Sequence, residues 1–468
     1  MSGILVIGNG PASHRLVERL HHHGHPGPVT VLGAEHHPVR HRPLLTSVLA
    51  GRLPPEALST PGPPGATAVH GAVVTRIDRH TRRVRARADG AETTHAYDTL
   101  VLATGAAPVV PAIPGVRGPG GGPGPGVTTL RTMEDHTSIT GGSVVVLGGG
   151  PLGVEAASAL ALRGIRTTLV CATPHPLAGR LGEECGLLLT ERLRQAGVAV
   201  VGGRTVVRRS AGHVLLDDGG SLPADTLVLC TGAVPEVAPA RGAGLAVHEG
   251  VVVDDRLRTS DPHIHAIGDC AEYAGRTVAG IEAAWEQADT LAGLLTGLRT
   301  PYRPTPGVFR LRTHVMDVCC VGPSAAFDAP GVRTVDLADR AGGRRARLAL
   351  RDDRLLAAVL LGLPDAIATV AMLYRQGRPL PSDRLAVLLG TASGPPSTAL
   401  PRDDAPVCLC NNVARRALAD AWRAGARTTE KLAAATGATT SCGSCLTDVA
   451  ELCTAWQHQG PREPEPAR

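Results

Sequence analysis

Short apolar runs closed by glycine set the rhythm of this chain. Residues 4–7 stop at Gly8-Asn9-Gly10, and Leu16, Val17 and Leu20 then recur at helical spacing. A second apolar run, 29–32, ends near Glu35. The order is strand, glycine turn, helix, strand: one βαβ unit. It returns at 144–147, with the turn Gly148-Gly149-Gly150-Pro151-Leu152-Gly153, a helix over 154–162 and a strand over 167–170. Two such units predict two nucleotide-binding domains. The Gly/Pro tract 118–126 predicts a loop just before the second.

After Leu298 the pattern changes. Residues 308–321 and 345–361 predict strands and 366–374 a helix, which together read as a separate α+β domain. The longest apolar stretch, 355–374, is cut by Pro364-Asp365, so a strand and then a helix fit it better than a membrane span. A polar, Pro-rich linker (391–406), a short cysteine-bearing module (407–457) and a tail (458–468) close the chain.

Composition narrows the class. At 468 residues, 43% hydrophobic and 19% charged, the chain is a globular protein of about three domains, not a disordered polymer. Aromatics at 2% predict cores of Ala, Val and Leu. The net charge is only +5, Lys431 is the sole lysine and no dense basic run occurs, which argues against a nucleic-acid partner. Met1-Ser2-Gly3 leads straight into the first strand without a cationic start, so a cytoplasmic protein with no membrane association is expected. In that setting eleven cysteines argue against a disulfide framework, and their spacing matters more than their number.

A glycine turn between strand and helix lets backbone N–H groups approach a pyrophosphate, and the helix N-terminus adds positive potential. The first turn is Gly8-x-Gly10-x-x-Ser13, with Ser13 where Gly or Ala is usual; Glu35, 22 residues on, is placed to accept from ribose hydroxyls. The second, Gly148-x-Gly150-x-x-Gly153, fits fully, but its strand ends at Cys171 where an NAD-preferring domain carries an acid. Arg166 lies before the strand end, so NADH and NADPH both stay open. Cys171 itself reads as a buried strand-end residue.

Two further segments carry a resemblance. Residues 97–106, with Ala103-Thr104-Gly105, resemble the "ATG" strand-turn of flavoproteins with two dinucleotide domains, and 259–269, ending in Gly268-Asp269, resemble their second FAD motif. Thr231-Gly232 resembles the turn closing their NAD(P) domain. Residues 8–15, the segment Arg42-Pro43-Leu44-Leu45-Thr46 and Trp285-Glu286-Gln287-Ala288 resemble the FAD part of assimilatory nitrite reductase large subunits and the reductase subunits of assimilatory nitrate reductases. The fold class implied is α/β, with two Rossmann-like domains. The resemblance implies an FAD-binding domain formed by 1–117 and 245–300, an NAD(P)-binding domain over 118–244 and an α+β domain over 301–390. It places FAD on Gly8, Gly10, Pro11, Ala12, Ser13, Glu35, Arg42, Thr46, Ala103, Thr104, Gly105, Gly268, Asp269 and Gln287, with Asp269 on the ribityl chain. It places NADH or NADPH on Gly148, Gly150, Pro151, Leu152, Gly153, Glu155 and Gly232. Residues 35–53 contain no cysteine, so disulfide-reductase and cysteine-dependent oxidase chemistry is not expected.

Cys408-x-Cys410 is followed, 32 residues on, by Cys442-x-x-Cys445. Four thiolates suit a [2Fe–2S] cluster or Zn²⁺, and the spacing leans to iron–sulfur because structural zinc more often uses two C-x-x-C knuckles. Together with Asn411, Gly437 and Gly443-Ser444, these cysteines resemble the bacterioferritin-associated-ferredoxin-like (BFD-like) [2Fe–2S] module found on the same flavoproteins. Cys453 reads as packing. Cys319 and Cys320, adjacent in a strand, face opposite ways and cannot ligate together. Cys185, Cys230 and Cys270 read as core or near-core thiols. The clusters His21-His22-His23 and His36-His37 lie in polar surroundings at element ends and read as surface groups rather than metal ligands.

The resemblance implies an FAD-dependent NAD(P)H oxidoreductase. A hydride passes from nicotinamide to flavin without an acid–base residue, and single electrons then pass through the cluster to a partner protein. A nitrate or nitrite reductase catalytic subunit is the favoured acceptor. A ferredoxin or rubredoxin reductase, a subunit of an amino-acid or opine-type dehydrogenase, and a flavin redox sensor are the alternatives. A homodimer stays open, and the α+β domain is expected to pack on the flavin domain.

Overall fold

The computed structural model describes residues 3–38, 42–58, 65–277, 280–311, 313–390, 406–408, 413–439 and 445–458. The chain forms two compact units, Met1–Ala392 and Ser393–Arg468.

Two parallel five-stranded sheets dominate the first unit, and they repeat one plan. In the first, the strands run Ile264–Ala266, Thr99–Leu102, Ile4–Ile7, Val29–Leu32, Ala66–Val69. In the second, the matching order is Val127–Thr128, Thr226–Leu229, Ser143–Leu147, Arg166–Cys171, Val198–Gly202. The central strands are buried throughout because helices or further strands cover both faces. Helix Pro11–His22 starts on a proline at its first position and buries Leu16, Val17 and Leu20. It packs beside helix Ile281–Leu295, and Arg15 Nε donates to Asp289 Oδ1 at 2.6 Å between them. Each half also carries an antiparallel three-stranded meander, Val73–Asp78/Arg83–Ala88/Ala91–Ala96 and Val206–Ser210/His213–Leu216/Ser221–Pro223. The sequence reading did not anticipate the meanders.

The halves are joined by a two-stranded antiparallel ribbon, Ala106–Pro108 against Ala233–Pro235. Each strand follows directly on a Thr-Gly pair, Thr104-Gly105 or Thr231-Gly232. Thr104 Oγ1 donates to the Glu236 carbonyl at 2.6 Å, and Thr231 Oγ1 donates to the Val109 carbonyl at 2.8 Å.

The α+β region is an antiparallel sheet in the order Val308–Leu311, Val318–Val321, Arg354–Leu361, Arg344–Arg351, Arg333–Asp339, with helix Pro364–Gln376 on one face. The two long stretches read as strands each fold into a hairpin. Cys319 faces the core shared with Ile367 and Val370, while Cys320 faces the core shared with Val154, Leu160 and Leu189. Opposite orientation of the two thiols is thus observed. The region packs on the flavin half, where Tyr302 enters the first core and Leu49 meets Leu311 and Met316, and its sheet packs in addition on the second dinucleotide half. Polar ties to the first half run from Arg375 to Glu282 at 2.6 Å and from Thr305 N to Glu286 at 3.1 Å.

The second unit pairs Pro406–Cys408 with Val413–Ala414 and adds helices Arg415–Arg423, Thr429–Thr436 and Leu446–His458. Its core gathers Leu418, Trp422, Leu432, Val449, Cys408, Cys445 and Cys453. Residues 391–405 of the expected linker and 459–468 of the tail lie outside the described residues. No helix among the described residues is long and apolar enough to cross a membrane.

Candidate functional site

The two glycine turns test whether dinucleotides fit. Gly8 has φ +108° and Gly148 φ +123°, and a Cβ on either would overlap a backbone carbonyl, that of Ala103 or of Cys230. Only glycine lets strand and turn approach so closely. Gly10 and Gly150, the N-caps of their helices, face open space where a side chain would stand. That space lies at a helix N-terminus whose first N–H groups lack helical partners, which is what a pyrophosphate requires. Pro11 and Pro151 open the helices, and Ala12 and Leu152 follow. The third positions differ. Gly153 lies so close to the Gly148 carbonyl that a Cβ cannot be added, whereas Ser13 is fully buried with its Oγ unpartnered.

Around the first turn the structure gathers charged groups. Arg42 Nη2 donates to Glu35 Oε1 at 2.6 Å. Asp269 sits on the short Gly268–Cys270 turn and accepts from Gly280 N at 3.2 Å. Gly268 there has φ +78°, and its N–H donates to Gln287 Oε1 at 2.7 Å. Gln287 is buried, so it holds the Asp269 turn from behind. Thr104 is committed to the ribbon, and Ala103 N donates to Ile7 O at 2.8 Å, which ties the Ala103-Thr104-Gly105 turn to the first strand.

Sequence reasoning missed Arg131. Burial pulls its guanidinium down from the ordinary value, Asp269 opposes that, and Arg42 reinforces it. Asp269 and Arg42 therefore both act on Arg131. Asp135 Oδ2 fixes the backbone here, accepting from Arg131 N at 2.7 Å, Thr132 N at 3.0 Å and Thr129 Oγ1 at 2.8 Å. The Thr132–Asp135 capping box was the available signal.

Thr46, on the short helix Leu45–Leu49, donates to Glu155 Oε2 at 3.4 Å, which links the first half to the helix of the second glycine turn. Cys230 ends the strand beside Glu155, and burial together with that carboxylate pushes its thiol up to about 12. Burial likewise raises Cys185 and Cys270 and pushes Cys319 to about 11 and Cys320 to about 12, so these are inert core thiols.

The second turn opens into a cavity of about 520 Å³, walled by Gly148–Pro151, Ala172, Thr173, Leu177–Arg180, Thr205 and Thr231. Cys171 is fully buried behind Gly149, as read from sequence, and its thiol is pushed up to about 11 by burial. Arg166 begins the same strand and acts on Asp225, at the opposite end.

In the second unit Cys408 and Cys445 are buried in one core. Cys410 and Cys442, with Asn411 and Gly443-Ser444, lie outside the described residues. Cys453 packs in the same core, its Sγ 3.9 Å from Thr429 Oγ1.

Comparison with known proteins follows the same division. Residues 2–288 match the family described as pyridine nucleotide-disulphide oxidoreductase, and residues 406–454 match the BFD-like [2Fe-2S] binding domain. The chain is 27% identical to the nitrite reductase [NAD(P)H] of Bacillus subtilis (strain 168) over 96% of its own length and 57% of that protein's. It is 28% identical to the assimilatory nitrate reductase electron transfer subunit of the same organism, over 96% of this chain and 59% of that one. The chain thus spans less than two thirds of either relative. The rubredoxin-NAD(+) reductase of Pseudomonas putida is 33% identical, with 77% of this chain and 96% of that protein covered. Among solved structures, the covalent putidaredoxin reductase–putidaredoxin complex matches with a TM-score of 0.73 and 27% identity, covering 84% of this chain and 97% of that one.

Proposed function

The chain belongs to the pyridine nucleotide-disulphide oxidoreductase family, as an FAD-dependent NAD(P)H oxidoreductase with a BFD-like [2Fe-2S] domain, and from that premise we propose that it feeds electrons to a nitrate or nitrite reductase catalytic subunit in the cytoplasm. One observation carries the reading: two dinucleotide cradles and a module with buried Cys408 and Cys445 share one polypeptide. FAD, when bound, supplies the conversion between two-electron hydride chemistry and one-electron transfer, which is the reason for both cofactors in one chain.

The remaining roles fall to the protein's own groups. We assign 1–117 with 245–300 to FAD and 118–244 to NAD(P), followed by the 301–390 domain and the 407–457 cluster module. The Gly8–Ser13 turn offers N–H groups to the FAD pyrophosphate, Glu35 meets the ribose, and Asp269, backed by Gln287, meets the ribityl chain. Arg42 and Arg131 bring positive charge to the same side. Thr46, on the Leu45–Leu49 helix of the flavin half, ties to Glu155 on the helix of the second cradle, so that nicotinamide and flavin are held in a fixed relation. Cys408, Cys410, Cys442 and Cys445 are the cluster ligands, all thiolates as iron–sulfur chemistry requires.

The test is an anaerobic titration with NADH and with NADPH, followed by mixing of the reduced protein with nitrate and nitrite reductases from its own host. Uptake of three electrons per chain and reoxidation by either enzyme support the proposal. A purified chain that reduces neither enzyme but does reduce another host protein overturns the assigned acceptor. The likeness to the Pseudomonas putida reductase then favours a rubredoxin- or ferredoxin-type carrier.

A further inference from the structure

Resting on the NAD(P)H-fed reading, we propose that the cavity beside Gly148–Pro151 is built for the 2′-phosphorylated nucleotide, NADPH, and that Arg180 is the cation that meets the 2′-phosphate. In a βαβ nucleotide domain the residue ending the second strand faces the adenosine ribose, where a carboxylate accepts from the 2′-hydroxyl and repels a 2′-phosphate. Here that residue is Cys171, fully buried behind Gly149. No carboxylate lines the cavity, and Arg180 is the one charged side chain among its described walls.

Arg180 sits on the loop that follows Cys171. The loop is folded onto the glycine turn: Leu177 N donates to Gly149 O at 2.8 Å, and Arg180 N donates to Leu177 O at 2.8 Å. The exposed guanidinium lies over the ring of Phe309, 4.4 Å from its centroid. Among the described residues no carboxylate pairs with it. A guanidinium stacked by one face keeps its N–H edge for phosphate oxygens, and stacking reduces the freedom lost on binding. The other arginine beside the strand end is committed elsewhere: Arg204 N donates to Cys171 O at 3.1 Å, while Arg204 Nε donates to Asp218 Oδ2 at 2.7 Å. Phe309 belongs to the α+β region, so that region reaches the nucleotide through Arg180.

The experiment compares NADP⁺ and NAD⁺ binding to the FAD-loaded chain by calorimetry, alongside anaerobic flavin reduction by NADPH and NADH. NADP⁺ is expected to bind about tenfold more tightly or better, as a charge-assisted phosphate contact gives. Arg180→Gln is expected to lower the NADP⁺:NAD⁺ affinity ratio by about tenfold. Phe309→Leu lowers it less, and Cys171→Glu turns the preference to NAD⁺. Tighter NAD⁺ binding in the unaltered chain, or an Arg180→Gln variant that weakens both nucleotides by one factor, overturns the proposal while leaving the oxidoreductase reading intact. Failure of both nucleotides to bind and to reduce the flavin overturns the two together.

Discussion

Thr104 and Thr231 make the same hydrogen bond in opposite directions, each hydroxyl donating to a backbone carbonyl just beyond the other's Thr-Gly pair. Two backbone bonds repeat the symmetry: Val109 N donates to Gly232 O at 3.0 Å and Glu236 N to Gly105 O at 2.9 Å. The duplicated halves are thereby clamped at their crossing. Thr104→Val and Thr231→Val should each cost about 1 kcal/mol, the usual worth of one such bond. A double-mutant cycle on thermal unfolding measures this. Hydride transfer from the nucleotide, followed by stopped-flow, should slow more than FAD affinity falls, because the clamp orients the halves instead of building either cradle.

The third positions of the two turns should respond differently. Gly153→Ala forces a methyl into the Gly148 carbonyl and should cost several kcal/mol, on the order of other severe overpackings. At Ser13 the Oγ is buried without a partner, and Ser13→Ala removes a desolvated hydroxyl. It should stabilise the FAD-free protein by about 1 kcal/mol. Chemical denaturation of both variants without flavin checks the pair, and a destabilised Ser13→Ala protein would mean that the hydroxyl has a partner in solution.

His265, buried in the Ile264–Ala266 strand, is pushed down to about 4 by burial. The unfolded chain protonates this residue near 6.5, so as pH falls it takes up a proton that the folded chain refuses. Stability contributed by the neutral ring is complete above about pH 6.5 and is lost progressively toward pH 4, by up to about 3 kcal/mol. The protein should therefore lose stability relative to His265→Val as pH is lowered across that window, as paired melting curves would show. Parallel curves would show that the ring is protonated or solvated in the fold.

Replacing Cys408 or Cys445 with serine should abolish the cluster's visible absorbance and lower nucleotide-driven uptake from three electrons to two, while the flavin still bleaches. Cys453→Ser should keep three. Anaerobic spectrophotometric titration separates these outcomes, and cluster loss in Cys453→Ser alone would reassign the ligand set.

Much of this was legible beforehand, for physical reasons. Gly8, Gly148 and Gly153 are required by backbone overlap, and such positions tolerate no substitute, so the turns stood out. The meanders were not anticipated, although Arg83–Ala88 alternates arginine with Val84, Ala86 and Ala88 at period two. Trp285-Glu286-Gln287-Ala288 does not reveal that the side-chain oxygen of Gln287 accepts from Gly268 N and so supports the Asp269 turn. Arg131 belongs to no glycine turn and matters only once Asp269 and Arg42 are brought beside it. The second neighbour of the α+β region was equally hidden, because both faces of its sheet are apolar and nothing in the pattern says that one of them also meets the nucleotide half.

The order of strands has a consequence for synthesis. The first parallel sheet needs Ile264–Ala266 alongside Thr99–Leu102, and that edge strand leaves the ribosome only after the whole second half has been made. The nucleotide half is therefore complete, and free to fold, while the flavin half still lacks a strand and the Asp269 turn. Nascent chains released before Ile264 should be able to hold nucleotide but not flavin, so flavin capture comes after nucleotide capture in the order of synthesis.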